Sequence, residues 1–206
     1  MLPADFLPDA EESGLIVPLG RRVLEDVCCM LRRLADLGFP DIPISVNASS
    51  REFSQRDYLP YIAKRVAHHG VNPARLTLEM REEQLMNNPE QATRLANGLR
   101  ELGIRLSVYE FGAGMNNLSC LRGLPVSQLK MTRRSVQEID AMPGSGALAK
   151  TMLDIGNNLN IRVVATGVET RDQHDFLAAN GCNSVQGNFI SQPMTRPALE
   201  EWLAAH

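Results

Sequence analysis

The 206-residue sequence predicts a single α/β domain built around a parallel sheet. Short apolar segments alternate with longer amphipathic segments along the whole chain. Repeated βα units of this kind favour parallel strands with helices packed outside the sheet. The composition, 44% hydrophobic and 22% charged residues, is that of an ordinary globular domain. Because no linker or low-complexity tract interrupts the pattern, we expect residues 1–206 to form one domain.

Six short segments rich in Ile, Leu and Val predict the strands, since aliphatic runs of this length are typical of a buried parallel sheet. In chain order they are residues 43–47, 75–79, 104–108, 128–131, 161–165 and 184–186. Six strands are too few to close the standard eight-stranded barrel, which usually takes about 250 residues.

Apolar residues at helical spacing predict helices between these strands. The predicted helices cover residues 15–34, 58–69, 89–102, 118–121, 147–159 and 171–179, with a last one opening at Pro197. Glycines at 38, 70 and 103 stand where the first three long helices should end, which is the usual place for glycine after a helix.

Charge and hydropathy exclude several classes of protein. The net charge of −3 and the pI of about 5.8 come without a basic stripe, so a nucleic-acid partner is not expected. No apolar run approaches the roughly 18 residues of a membrane span, and the first residues do not resemble a signal peptide. We therefore expect a cytoplasmic protein without a membrane span in this chain.

The cysteines do not form a recognisable motif. Cys28, Cys29, Cys120 and Cys182 lack the spacing of a zinc knuckle or a redox pair. We expect them to be reduced thiols in the core.

Polar residues lie at or just after the carboxyl ends of all six predicted strands. They are Asn47, Glu79, Glu110, Lys130, Thr166 and Gln186. Ligands bind at the carboxyl ends of parallel strands, so six such residues in succession indicate a site. Acidic groups with a lysine suggest metal-assisted phosphoryl chemistry, or a remnant of it.

Several motifs in the same order identify a family resemblance. They are residues 3–16 before the first long helix, S-V-N-A-S at 45–49, L-E-M-R-E at 78–82, Y-E-F-G-A-G at 109–114, L-P-V with K-M-T at 124–132, A-T-G-V-E-T at 165–170, and Q-G at 186–187 with Pro193. Together they resemble the EAL domain family over essentially the whole chain.

The resemblance implies a fold and an activity. EAL domains of bacterial signalling are modified (β/α)8 TIM-like barrels, and their enzymes linearise cyclic di-GMP with two divalent metals, usually magnesium or manganese. The predicted fold is therefore an EAL barrel that is incomplete, lacking about its first two strands. The missing strands carry the naming E-A-L motif with a metal-ligand glutamate. The predicted domain, 1–206, is thus truncated at its N-terminal end.

The resemblance also implies a set of metal ligands. Asn47 and Glu79 would remain for one metal and Glu110 for the other. Tyr109 and Thr166 stand where the family has a bridging aspartate and a glutamate. A phenol with a pKa near 10 is a poor substitute for a carboxylate. Since divalent cations of this kind need several oxygen ligands, we expect no tightly bound cofactor.

Other motif residues have implied roles as well. Lys130 matches the catalytic lysine and would be vestigial; an ion pair of Lys130 with Glu79 or Glu110 is the structural alternative. Gln186 and Pro193 match residues of the nucleotide pocket. Two glutamates, Glu82 and Glu169, match residues that support the loops around it. Asn47 has an alternative role too, as the cap of the turn after its strand.

These departures predict a degenerate EAL domain of cyclic di-GMP signalling that is catalytically inactive and acts as a protein-interaction or nucleotide-sensing module. A protein partner or self-association is expected first, since missing strands would leave sheet edges open, and cyclic di-GMP second. Two alternatives stay open. One is an active metal-dependent phosphodiesterase, and the other is a non-functional fragment of a longer GGDEF/EAL protein.

Overall fold

The computed structural model describes residues 3–111, 123–140 and 146–205. These residues divide into two compact units. The first unit contains residues 3–107 and 123–126, and the second contains residues 108–111, 127–140 and 146–205. Within the described residues, no helix has both the length and the apolar character that crossing a membrane requires.

The first unit contains three neighbouring strands, in the order β1-β2-β3. They are β1 (Ile44–Asn47), β2 (Leu76–Arg81) and the start of β3 (Arg105–Phe111). Strands β1 and β2 are parallel, with Asn47 beside Glu79. The helices of this unit are α1 (Pro3–Ser13), α2 (Ile16–Asp36), α3 (Ser50–Phe53), α4 (Tyr58–His69), α5 (Glu82–Asn87) and α6 (Pro89–Glu101).

The second unit contains the last four residues of β3 and three further strands, in the order β3-β4-β5-β6. They are β4 (Gln128–Met131), β5 (Arg162–Thr166) and β6 (Ser184–Gln186). Strand β5 is parallel to both β4 and β6. The described helices of this unit are α7 (Arg133–Gln137), α8 (Ala147–Leu159), α9 (Arg171–Ala179) and α10 (Arg196–Ala205).

Each unit has an apolar core between its strands and helices. In the first, Leu76, Leu78 and Met80 of β2 are buried. The intervening Thr77 and Glu79 are buried as well, so β2 is covered on both faces, as parallel strands usually are. In the second unit the core contains Leu129, Met131, Leu153, Val163, Ala165 and Leu177.

The predicted α/β class with parallel strands is confirmed, and every predicted strand has a counterpart. Helices α8 and α9 have the predicted bounds, and α6 ends one residue earlier than predicted. The terminal helix begins at Arg196, one residue before the predicted Pro197. The helix predicted at 118–121 lies outside the described residues.

The sequence analysis missed four short or atypical helices. Helix α1 contains Pro8, and proline argues against a helix interior. Helices α3, α5 and α7 have four to six residues each, too few for an apolar repeat to show. For α3 a signal was present, because Ser49 and Glu52 have the spacing of a capping box.

The prediction of core cysteines is wrong for Cys29. Cys28 is buried, Cys29 is exposed and Cys182 is partly exposed, and all three are free thiols. Consecutive residues of a helix point about 100° apart, so Cys28 and Cys29 of α2 cannot share one environment. Cys120 lies outside the described residues.

Candidate functional site

The motif residues of the first unit gather at the carboxyl ends of β1 and β2. We call Asn47, Glu79 and Glu82 the first-unit cluster. Asn47 is the last residue of β1 and is exposed, and Glu79 lies beside it in the parallel register. The amide of Ala48 donates to the carbonyl of Glu79 at 2.9 Å, which extends the β1–β2 ladder beyond Asn47.

Both glutamates of the first-unit cluster are buried, with 6% and 7% of Glu79 and Glu82 exposed. Glu82 is the first residue of α5, where the positive end of the helix favours an acidic side chain. The backbone N–H of Arg81 donates to Gln84 Oε1 at 3.0 Å, so the start of this helix is capped. Strand β2 and helix α5 thereby fix both carboxylates inside the fold.

A third buried carboxyl group, that of Glu52, holds the segment that follows β1. The backbone N–H and the hydroxyl of Ser49 donate to Glu52 Oε2 at 2.9 and 2.8 Å. In return, the N–H of Glu52 donates to Ser49 Oγ at 3.3 Å. Burial raises the pKa of Glu52, while the two hydrogen bonds from Ser49 act in the opposite direction. The cap after β1 is therefore Ser49, whereas the sequence analysis offered Asn47 for that role.

The motif residues at the ends of β4, β5 and β6 lie together in the second unit. We call Lys130, Thr166 and Gln186 the second-unit cluster. Thr166 lies beside Gln186 in the parallel register, and Lys130 Nζ donates to Gln186 Oε1 at 3.3 Å. The hydroxyl of Thr166 donates to the carbonyl of Met131 at 2.7 Å. The side chain of Thr166 is thus joined to the backbone of the neighbouring strand.

The end of β3 departs from the prediction. Tyr109, Glu110 and Phe111 belong to the strand, whereas the sequence analysis ended it at residue 108. Glu110 is exposed and has φ of +57°. Aspartate and asparagine tolerate this left-handed region better than most residues. The family's aspartate at this position therefore suits the backbone better than the longer glutamate.

Backbone contacts hold the loop after β5 against the end of β6. The N–H of Val168 donates to the carbonyl of Gln186 at 3.1 Å, and the N–H of Phe189 donates to the carbonyl of Val168 at 3.0 Å. A Cβ on Gly187 would lie 2.1 Å from the carbonyl oxygen of Val168. Only glycine permits so close an approach, which gives a physical reason for the Q-G motif.

Two motif residues of the second unit lie at its surface. Glu169 Oε1 forms an ion pair with Arg133 Nη2 at 2.5 Å, and the N–H of Glu169 donates to Gln173 Oε1 at 2.8 Å. These contacts fix the loop between β5 and α9. Pro193 is exposed between β6 and α10.

The six strand-end residues lie in the last three residues of their strands. The sequence analysis placed Glu110 and Thr166 beyond the ends of their strands, and the structure includes both. The structure brings Asn47 beside Glu79 and Lys130 beside Gln186. The implied metal-binding, catalytic and nucleotide-binding roles stay predictions. The glycine-rich turn that Glu82 was expected to support, at 112–114, lies outside the described residues.

Comparison with known proteins identifies one family. Residues 1–193 match the model of the EAL domain. The bifunctional diguanylate cyclase/cyclic di-GMP phosphodiesterase MucR of Pseudomonas aeruginosa is 34% identical over 197 residues, which are 96% of this chain and 29% of that protein. The cyclic di-GMP phosphodiesterase PdeR of Escherichia coli is 32% identical over 200 residues, which are 97% of this chain and 30% of that protein. The chain thus spans less than a third of the length of these relatives.

Solved structures give the same result for the fold. A structure of the MucR phosphodiesterase in complex with cyclic di-GMP has a TM-score of 0.92 at 34% identity, covering 97% of this chain and 81% of that one. The EAL domain of DcpA from Mycobacterium smegmatis has a TM-score of 0.87 at 27% identity, covering 93% of this chain and 86% of that one. The predicted fold, an incomplete (β/α)8 barrel of the EAL type, is confirmed.

Proposed function

This chain belongs to the EAL domain family, and from that membership we propose that it is a non-hydrolysing EAL domain that acts by binding in cyclic di-GMP signalling. The observation that carries the proposal is the side chain of Thr166. It stands where the family motif has a glutamate, and its hydroxyl donates to the Met131 carbonyl at 2.7 Å. This position therefore presents an uncharged, hydrogen-bonded hydroxyl in place of a carboxylate.

Tyr109 supports the same proposal from the end of β3. It replaces the family's bridging aspartate with a phenol, which is neutral at physiological pH. Glu110 is the acidic residue that remains of the two adjacent aspartates in the family motif. Magnesium and manganese bind through carboxylates and other hard oxygen ligands. We infer that the described residues do not fit a two-cation centre.

A domain that binds without hydrolysing could take two kinds of ligand. The first form of binding is to a protein partner or a second copy of the chain, and the second is to cyclic di-GMP. The Lys130–Gln186 contact supports the nucleotide form, because the ammonium group of Lys130 would attract a phosphate and Gln186 would orient it. The MucR relative was solved with cyclic di-GMP bound.

An active phosphodiesterase is the second candidate function. The buried Glu79 and Glu82 favour it, because both acidic motif residues of the first-unit cluster are retained. The names of the relatives MucR and PdeR, both phosphodiesterases, favour it as well.

The test is to incubate the 206-residue chain with cyclic di-GMP and magnesium, manganese or calcium, and to measure the linear dinucleotide by chromatography. We expect no linear product under conditions in which an active EAL phosphodiesterase hydrolyses the substrate completely. Product that disappears in the Glu79→Gln variant would overturn the proposal, because that control assigns the activity to this chain and not to a contaminant.

Titration calorimetry with the same nucleotide separates the two forms of binding. Nucleotide sensing predicts a measurable heat of binding. It also predicts an affinity that falls at least about tenfold when Lys130 is replaced by methionine, because a hydrogen bond to a charged group contributes about 1.5 to 3 kcal/mol. Arg134→Met is the matched control, because Arg134 is a surface cation of the same unit that pairs with Glu138. The absence of heat would assign the function to protein contacts.

A further inference from the structure

Three residues with metal-binding side chains converge on the surface of the first unit, between α2 and α4. They are Glu25 and Cys29 of α2 and His69, the last residue of α4. One ligand atom from each residue lies within 4.8 Å of the other two. We propose that these three residues form a binding site for a single divalent transition-metal ion of the zinc class, independent of the strand-end clusters.

The helices bring the three side chains together. Glu25 and Cys29 are four residues apart, so they lie on one face of α2. His69 Nε2 is 2.8 Å from Glu25 Oε1, and its Nδ1 is 3.9 Å from Cys29 Sγ. The imidazole thus lies between the carboxylate and the thiol. In the absence of metal the His69–Glu25 contact joins two of the three ligands in advance.

The three side chains are near the spacing of a metal site and need a side-chain adjustment to hold an ion. Bond lengths of about 2.0 to 2.3 Å in tetrahedral zinc sites place neighbouring ligand atoms roughly 3.3 to 3.8 Å apart. The three ligand atoms here lie within 4.8 Å of one another, and Cys29 is exposed. Glu25 and Cys29 face different nitrogens of the His69 ring, so a metal bound to one nitrogen requires the side chain at the other nitrogen to rotate toward it.

The chemistry of the donor set selects the class of metal. Sulfur, imidazole nitrogen and carboxylate oxygen together suit zinc, whereas magnesium and calcium prefer oxygen alone. One thiolate and one carboxylate balance the charge of a divalent cation. Three protein ligands leave a fourth position for water, which is the arrangement of an open zinc site.

The neighbouring residues fit the assignment. Arg65 Nη1 lies 3.5 Å from Glu25 Oε2, which orients the carboxylate and leaves Oε1 toward His69. Cys28 is buried, whereas Cys29 is exposed and its Sγ lies 3.9 Å from His69 Nδ1, so Cys29 and not Cys28 is the sulfur ligand.

The test is titration of the 206-residue chain with Co²⁺, which substitutes for zinc and reports a sulfur ligand through a thiolate-to-cobalt charge-transfer band. We expect the band to saturate at one Co²⁺ per chain, to disappear when Zn²⁺ is added, and to resist a large excess of Mg²⁺. Cys29→Ser should abolish the band, and Glu25→Gln should weaken Co²⁺ binding at least about tenfold.

Cys182→Ser is the matched control, because Cys182 is a free thiol of the other unit and its loss should leave the band unchanged. Far-ultraviolet circular dichroism without metal checks that each variant is folded. We expect the Cys29→Ser variant to fold, because Cys29 is exposed. No band in the wild-type chain, or a band of full intensity in the Cys29→Ser variant, would overturn the proposal. Neither result depends on phosphodiesterase activity.

Discussion

The two units hold the ends of their strands by different means. In the first unit the acidic side chains are themselves part of the interior, since Glu52, Glu79 and Glu82 are buried. In the second unit the polar side chains Glu110 and Gln186 are exposed, and backbone contacts around Gly187 hold the loops in place.

The two units also differ in how far their residues match the family motifs. Three residues that differ from the family motifs, Tyr109, Glu110 and Thr166, all belong to the second unit, whereas Glu79 and Glu82 of the first unit match the motifs. Tyr109 and Thr166 are partly buried and Glu110 is exposed, whereas both matching glutamates of the first unit are buried. The second unit thus differs from the motifs in its side chains, while backbone contacts hold its loops.

Gly187→Ala should cause the largest loss of stability. The new Cβ would lie 2.1 Å from the carbonyl oxygen of Val168 and 2.4 Å from its nitrogen, and both atoms are hydrogen-bonded backbone. We expect the free energy of unfolding, measured by urea denaturation, to fall by about 3 kcal/mol. Gly181→Ala is the control, since a Cβ there meets no atom within 4 Å and only the φ of +77° opposes it. If both variants lost the same free energy of unfolding, a clash with the Val168 backbone would not explain the effect of Gly187→Ala.

Gly20→Ala tests the corresponding role of side chains in the first unit. Its Cβ would lie 1.7 Å from Glu52 Oε1, and Ser49 holds that carboxyl group in place. We expect a loss of about 2 kcal/mol, because a buried side chain must leave its position. In a Glu52→Ala background the same substitution should cost less than about 0.5 kcal/mol, which a double-mutant cycle measures. An identical cost in both backgrounds would contradict the packing described here.

Thr166→Val removes the hydrogen bond to Met131 while preserving the shape of the side chain. We expect the free energy of unfolding to fall by about 1 kcal/mol, the usual net contribution of such a bond. Thr151→Val is a matched control, because the Thr151 hydroxyl donates to Ala147 within an exposed turn of α8. If Thr166→Val leaves stability unchanged in chemical denaturation, the hydroxyl does not hold the end of β5.

Glu52→Gln should have the smallest effect, visible as a change in pH dependence. Because burial raises the pKa of Glu52, the folded chain binds this proton more tightly than the unfolded chain. Stability should therefore fall as the pH rises from the ordinary glutamate pKa through the raised one. When the free energy of unfolding is measured over a pH series, it should fall less steeply with rising pH in the Glu52→Gln variant than in the wild-type chain. Glu83→Gln is the control, because Glu83 is exposed, and it should show the wild-type pH dependence. Identical curves for Glu52→Gln and the wild-type chain would contradict this.

Much of the fold was predictable because its signals are local. Strand β5 and helices α8 and α9 follow from apolar runs and helical spacing, and the capping pair Ser49 and Glu52 is readable as a motif. The extension of β3 to Phe111 was not predictable, because Tyr109 and Glu110 are polar and lie before a glycine-rich segment. From the sequence, Gly187 was recognised only as a match to the family motif. The structure gives the physical reason for a glycine there, which is the close approach to the Val168 backbone.

The sequence by itself determined the α/β order of elements and the EAL family, since each follows from residue identity and short-range periodicity. Only the tertiary structure decided that Glu79 is buried, that Thr166 donates to Met131, and that Cys29 lies beside His69. The two contacts join residues about 35 to 40 positions apart. The burial of Glu79 depends on which elements cover its strand. All three are set by how helices and strands pack, which no local pattern encodes.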